Sequence, residues 1–198
     1  MTESKRQIKL KDYTERNTRW TDKAISQLGY SINLFTTLGV SYLIYLVTNN
    51  EKFPKNDFNG EFSFLLTIYF ISFILIFFSV CFGFISILSR LYDFRLTRHL
   101  TFIRMKYFKL NGNTKNISDN LIIDISKESR LKIFYRTVIR TTNLISQKEL
   151  ESELIKSRFE ELRKNANVLG ELTWKAHKNQ IFCLLLASFF YGIIVFIN

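Results

Sequence analysis

One uncharged run, Phe62–Leu88, constrains the fold of this chain more than any other stretch. Its 27 residues include no charged side chain, no proline and no amide side chain. A helix rises about 1.5 Å per residue, so the run is longer than a bilayer's hydrocarbon core of roughly 30 Å requires. It therefore predicts a transmembrane helix that is tilted or protrudes from the bilayer.

Two further apolar runs, Tyr30–Val47 and Ile181–Ile197, are close to the minimum length of a span. A buried core helix is the alternative for the last run, but no other part of the chain is large enough to bury three such helices. We predict an all-α membrane protein with three transmembrane helices and a helical cytoplasmic domain between the second and third. The predicted segments are a cytoplasmic N-terminal segment (1–29), the first span (30–48), an external loop (49–61), the second span (62–89), a basic helical cytoplasmic domain (90–178) and the third span (179–198).

Lysine and arginine are distributed unevenly between the segments that flank these runs. Residues 1–30 hold seven of them, residues 49–61 hold two and residues 90–180 hold nineteen. Because the more basic sides of a membrane protein stay in the cytoplasm, we expect the N-terminus inside and the C-terminus outside. The hydrophilic start of the sequence does not have the pattern of a removable signal peptide.

Small and hydroxylated side chains share one face of the predicted second span. At 100° per residue this face continues past the apolar run, and we call its members the small-residue stripe: Ser72, Ser79, Gly83, Ser86, Arg90 and Asp93. Ser79 and Gly83 have the small-xxx-small spacing that lets helices approach closely. The stripe predicts either helix packing, within the protomer or an oligomer, or a pore lined by hydroxyl groups with charged rings at its exit.

The second span is predicted to continue as one helix to about Leu110. Apolar side chains recur at steps of three and four on the face opposite the stripe, from Tyr92 to Leu110. A heptad pattern is expected to pack against this helix: Ile155, Phe159, Leu162, Ala166 and Leu169. The capping-box sequence Ser146–Glu149 predicts the start of the heptad helix, which has only Gly170 as a possible break before the third span.

A shorter amphipathic helix is predicted over Arg130–Ile145. Its apolar face is expected to hold Leu131, Phe134, Tyr135 and Val138. Three cations at steps of four line the opposite face: Lys132, Arg136 and Arg140. A basic face of this kind can lie on anionic lipid headgroups or bind a partner, and it can equally be an ordinary solvated surface.

The remaining polar residues disfavour catalysis. His99 and His177 lack the spacing of metal ligands, neither cysteine has a nearby acid–base partner, and there is no phosphate-binding glycine loop. We expect no catalytic residue, no metal and no cofactor. A nucleic-acid partner is disfavoured because no motif or stacking platform accompanies the basic charge. The expected partners are the lipid bilayer, further copies of the chain and a soluble cytoplasmic protein.

The layout resembles a known class of membrane proteins. A hydrophilic N-terminus, two closely spaced runs (Tyr30–Val47 and Phe62–Leu88) and a basic helical extension (SRLYDFRLTRHLTFIRMKYFK) are similar to the SLATT-type effectors of bacterial anti-phage systems. The similarity covers about residues 10–110, and the third run departs from the two-span plan of that family. The resemblance implies a pore-forming or membrane-disrupting effector that a sensor or nucleotide signal releases.

Two functions are therefore expected as alternatives. The first is an effector of the bacterial inner membrane that oligomerises and permeabilises this membrane when it is triggered through its cytoplasmic helices. The second is a membrane anchor or scaffold that holds a soluble partner through the same cytoplasmic region.

Overall fold

A computed structural model describes residues 3–49, 64–111, 129–140, 144–146, 149 and 154–197. Within these residues all regular structure is helical, which confirms the predicted all-α class. The helices are α1 (Glu3–Thr48), α2 (Phe64–Asn111), α3 (Arg130–Phe134), which continues as a π-helical turn over Tyr135–Ile139, and α4 (Ile155–Ile197). Most of the predicted external loop lies outside the described residues.

Three of the helices are long and apolar enough to cross a membrane, over Thr21–Thr48, Phe64–Tyr107 and Ile155–Phe196. At about 1.5 Å per residue, α2 is about 72 Å long, well over twice the thickness of a hydrocarbon core. Each long helix therefore has an apolar part (30–48 of α1, 64–89 of α2 and 179–197 of α4) and a polar part outside those ranges. No helix is interrupted where the two parts meet.

The long helices form an antiparallel bundle. Residue 69 of α2 lies beside residue 46 of α1, and the Tyr69 hydroxyl donates a hydrogen bond to the Leu46 carbonyl at 3.0 Å. At the other end of α2, the Arg104 guanidinium lies 5.1 Å from the centre of the Phe159 ring on α4. α2 therefore runs opposite to both neighbours, and it packs against α4 along most of its length.

The polar parts of α2 and α4 are joined by a hydrophobic core. The predicted heptad residues are all buried there, against Leu96, Leu100, Ile103 and Tyr107 of α2. This confirms the prediction that the heptad residues pack against the apolar side chains of α2. The α2 seam ends at Tyr107, because Leu110 is 59% exposed.

The predicted helix over Arg130–Ile145 is shorter than expected, and its buried face is different. Regular helix gives way to the π-helical turn at Tyr135, and residues 144–146 are not helical. The buried side chains are Ile133, Thr137 and Val138, whereas Leu131 and Tyr135 are exposed. Phe134 and Val138 still pack on the core, but the buried face is rotated toward Ile133 and Thr137 and away from Leu131 and Tyr135.

Helix α4 begins at Ile155 rather than at the predicted capping box. The first and last residues of the box are in contact, because a Glu149 carboxylate oxygen accepts a hydrogen bond from the Ser146 backbone N–H at 2.7 Å. From Ile155 the helix passes Gly170 without a break and continues into the third apolar run, as the sequence predicted.

Candidate functional site: a polar layer between the long helices

The small-residue stripe lies inside the bundle, between α2 and its neighbours. Ser72, Ser79 and Ser86 have no exposed surface. The Ser79 hydroxyl donates to the Gln180 carbonyl at 2.8 Å, and the Ser86 hydroxyl donates to the Thr173 carbonyl at 3.0 Å. Both bonds reach the backbone of α4, so this part of the stripe forms a helix–helix contact within a single chain. The apolar seam of α2 packs on the same helix, so the stripe and the seam do not lie on opposite faces as predicted.

Side chains of α1 and α4 both fill the space where Gly83 has no side chain. A Cβ atom at this position would lie 2.5 Å from the Thr36 hydroxyl oxygen and 2.7 Å from the Gln180 Nε2. These two groups belong to α1 and α4, so the missing side chain lets both helices reach α2 at one level. No room remains at Gly83 for even a methyl group unless a neighbour moves.

A chain of side-chain hydrogen bonds surrounds this contact. The Thr36 hydroxyl donates to the Ile32 carbonyl at 2.7 Å, and it accepts a bond from the Gln180 Nε2 at 2.8 Å. The Gln180 Oε1 lies 3.1 Å from His177 Nδ1, and His177 Nε2 lies 3.0 Å from the Ser31 hydroxyl. We call these residues the polar layer: Ser31, Thr36, Ser79, His177 and Gln180.

The hydrogen bonds of the polar layer determine which atom donates at each step. Because the Gln180 amide group donates to Thr36, its oxygen is left to accept, so His177 Nδ1 carries the proton that it donates. In a neutral imidazole Nε2 then accepts from Ser31. Every polar side chain of the layer has a partner on another helix or on its own backbone, as burial away from water requires.

Ser31, Thr36, Ser79 and Gln180 lie in the apolar part of the bundle, and His177 lies two residues before the apolar part of α4. Gln180 is 14 residues before Ile194 on α4, which corresponds to about 21 Å of helix. In a hydrocarbon core of about 30 Å the amide is therefore still inside the apolar zone. Polar side chains at such a depth are costly unless they are paired, which makes the layer the most specific contact among the three helices.

Arg90 and Asp93 continue the stripe toward opposite neighbours. The Arg90 guanidinium donates to the Ile25 carbonyl of α1 and lies 5.2 Å from the Phe94 ring centre. A side chain at Gly29 would collide with this guanidinium. Asp93 accepts from the Thr97 hydroxyl at 3.3 Å, and its carboxylate faces Gly170 of α4. Both residues therefore face neighbouring helices of the same chain.

The predicted basic face is divided. Lys132 and Arg140 are exposed, and the Arg140 guanidinium lies 5.7 Å from the Tyr135 ring centre. Arg136 is half-buried, and its Nη2 donates to the Asn165 side-chain oxygen of α4 at 3.2 Å. Arg130 adds an ion pair with Glu171 of α4 at 3.0 Å. The segment thus uses part of its charge to dock on α4.

Sequence reasoning missed His177, Gln180, Ser31 and Thr36 as partners of the stripe. One signal was present, since His177 and Gln180 are three residues apart and share a helix face at the edge of an uncharged run. Within the described ranges, no three His, Cys, Asp or Glu residues are grouped so that they could hold a metal ion. No protein-family model, curated protein or solved structure matches this chain.

Proposed function

We propose that this chain is an integral protein of the bacterial inner membrane that permeabilises the membrane when a partner acts on its cytoplasmic helices. The observation that carries the proposal is the continuity of α2 and α4 from the apolar part, where the polar layer joins them, to the polar part. A displacement of either helix in the cytoplasm would reach the layer through unbroken hydrogen-bonded backbone.

The polar layer gives this proposal a resting state. In one protomer, the Ser79 and Ser86 hydroxyls of the stripe are bonded to α4 and are closed off from lipid. Separation of α2 from α4 frees these hydroxyls to face an axis shared by several copies, where they form a wettable path. Oligomerisation and opening are then one event, because the stripe exchanges an internal partner for water and other copies.

The SLATT-type layout supports a role in anti-phage defence, in which a sensor supplies the trigger. The positive-inside distribution of lysine and arginine supports an N-terminus in the cytoplasm and a C-terminus outside. Cysteine labelling from outside at Pro54→Cys, Asn113→Cys and Asn198→Cys, in a background without Cys81 and Cys183, tests this topology. Labelling at 113 but not at 54 would overturn it.

A second function, a membrane anchor or scaffold for a soluble partner, is favoured by a different observation. Ser79, Ser86 and Gln180 are all bonded inside a single protomer, so the bundle is complete without further copies. An anchor of this kind has a fixed bundle that does not leak.

Expression in bacteria with a dye that reports membrane potential separates the two functions. The test uses Ser86→Cys with Thr173→Cys in the background without Cys81 and Cys183, because Ser86 contacts Thr173 across α2 and α4. Gel mobility reports whether the disulfide forms, and each single cysteine variant is the control. An effector depolarises the membrane when its neighbouring genes are co-expressed and the pair is reduced, and it does not when the pair is oxidised.

Depolarisation with the pair fully oxidised would overturn the opening of α2 from α4. No depolarisation by the wild-type chain, with or without its neighbouring genes, would overturn the effector and leave the anchor.

A further inference from the structure

An open cleft of about 710 Å³ lies on the polar part of α2, directly beyond the apolar part. Its walls combine apolar, aromatic and basic side chains, of which the most informative are Leu91, Phe94, Arg95, Arg98 and Phe102. Leu91 and Phe94 also line a second crevice of about 390 Å³, between α1 and α2. The two cavities share these side chains, and we call the pair of cavities the groove.

The basic wall of the groove has no acidic partner among the described residues. Arg95 and Arg98 are both exposed, and the Arg95 guanidinium lies 5.8 Å from the centre of the Tyr92 ring. The nearby His99 is engaged, because its Nε2 accepts a hydrogen bond from the Ile145 backbone N–H at 3.1 Å. Two guanidinium groups one turn apart therefore face the groove without a counter-charge from the part of the chain that the structure describes.

The apolar wall is exposed although the helix has left the uncharged run. Leu91 is 61% exposed and Phe94 is 41% exposed. The α1–α2 crevice beneath them adds Tyr30 and Ile32 of α1 and Ile87 of α2. The crevice also has the polar side chains of Ser26, Asn33 and Arg90, and its exposed apolar surface comes mainly from Tyr30, Leu91 and Phe94.

The position of the groove matches the surface of a bilayer. Arg95 follows Leu88 by seven residues, or about 10 Å along the axis. Side chains of a helix lean toward its N-terminus, which for α2 is toward the apolar part. Long arginine side chains at this position therefore reach back to the level of lipid headgroups, with their stems on the apolar wall.

We propose that the groove binds an anionic phospholipid from the leaflet in which α2 leaves the bilayer. Its phosphate is held by Arg95 and Arg98, because guanidinium groups bind phosphate oxygens through paired hydrogen bonds. One acyl chain lies along Leu91 and the α1–α2 crevice. A soluble phosphate compound would leave the apolar wall uncovered, and an apolar segment of a protein would leave two arginines without a counter-charge.

The binding test uses the full chain in mild detergent, titrated with phosphatidylglycerol or phosphatidylcholine and analysed by native mass spectrometry. Wild-type protein should retain phosphatidylglycerol in preference to phosphatidylcholine. At about 1 kcal/mol for each cation near a membrane surface, Arg95→Gln with Arg98→Gln should weaken phosphatidylglycerol binding roughly thirtyfold. Circular dichroism of each variant establishes that its helices are retained.

The matched control removes the same charge elsewhere, by Lys132→Gln with Arg140→Gln, two exposed cations of the α3 segment. This variant should bind phosphatidylglycerol within twofold of the wild-type protein. An equal loss in the two double variants would overturn the site, because it would show attraction to total charge.

Two further measurements distinguish a bound phospholipid from a soluble phosphate compound. Leu91→Gln should weaken the binding of phosphatidylglycerol but leave the binding of inorganic phosphate and ATP unchanged. Displacement of phosphatidylglycerol by millimolar ATP, together with ATP binding that depends on Arg95 and Arg98, would overturn the lipid and assign the groove to a soluble phosphate compound. Equal retention of phosphatidylcholine and phosphatidylglycerol would overturn the role of the arginines.

Discussion

The apolar and polar parts of the bundle are held together by opposite kinds of contact. In the polar part, α2 and α4 meet through fully apolar side chains such as Phe159, Leu162 and Leu169. In the apolar part, the helices also bury a hydrophobic cluster, but their specific contacts are the hydrogen bonds of the polar layer and the close approach at Gly83.

The surrounding solvent explains the contrast. Water drives apolar surfaces together, whereas lipid is as apolar as a leucine side chain and provides no such force. Helices in lipid associate instead through small residues, tight packing and hydrogen bonds across the interface. A single continuous helix such as α2 therefore presents two different recognition surfaces, each suited to the medium around it.

The largest effect is expected in the apolar core of the polar part. Phe159→Ala removes a ring with no exposed surface and should lower the free energy of unfolding by about 3–5 kcal/mol. Denaturation in mild detergent, followed by circular dichroism, measures the change. Phe189→Ala is the control on the same helix, because its ring is 64% exposed, and it should change stability by less than about 0.5 kcal/mol. Equal losses would contradict the burial of Phe159 in the core between α2 and α4.

The second effect tests close packing in the apolar part. Gly83→Ala should destabilise the bundle by about 1–3 kcal/mol, because the new methyl group collides with Thr36 and Gln180. The same denaturation experiment applies. Gly192→Ala is the control, since a Cβ there meets no atom within 4 Å, and alanine is the better helix former. A destabilisation by Gly192→Ala as large as that at Gly83 would remove the case for a special contact.

A smaller effect is expected from the polar layer itself. In a double-mutant cycle of Gln180→Met and Thr36→Val, the coupling energy should be about 0.6 kcal/mol, the average for hydrogen bonds between helices in lipid. The control cycle combines Thr36→Val with Ser188→Ala. The Ser188 hydroxyl donates a hydrogen bond to the Leu184 carbonyl of its own helix and does not contact Thr36 through a hydrogen bond. That cycle should be additive, and coupling of the same size there would show that the layer is not specific.

The smallest effect concerns the contact between Ser146 and Glu149 before α4. The Ser146 backbone N–H stabilises the charged form of Glu149 and so lowers the pKa of that carboxyl below its ordinary value of 4.5. Because the pKa of Glu149 is lower in the folded state than in the unfolded chain, its carboxylate stabilises the folded state above pH 4.5. This stabilisation is lost as the pH falls through the folded pKa. Titration by NMR should detect the low pKa in the wild-type chain, and Glu149→Gln should remove this acid-dependent loss. A pKa at or above 4.5 would contradict this contact.

Patterns with a single period predicted much of this fold. Apolar length was sufficient for the apolar parts of the three long helices, and steps of three and four identified the contact of the heptad residues with Leu96, Leu100 and Ile103. The extension of α1 back to Glu3 was not predicted. The end of the α3 segment was not predictable in this way, because a π-helical turn changes the number of residues per turn without any change in residue type that would signal it.

The stripe was visible in the sequence, but its partners were not. A list of serines and glycines on one face shows that something approaches closely, without showing whether it is another helix of the same chain or another copy. The answer depends on Gln180, nearly a hundred residues after Gly83 along the sequence, and on the backbone carbonyls of α4, which have no sequence signature at all.

The unbroken path of α2 constrains how this chain can change length in evolution. One residue inserted between Gly83 and Leu96 would rotate every later side chain by about 100° and advance it by about 1.5 Å, so that the stripe and the apolar seam could not both face α4. An insertion of seven residues returns to within about 20° of the starting face. Natural variants should therefore tolerate a change of seven residues in this stretch far better than a change of one or two, provided that α4 changes by the same amount.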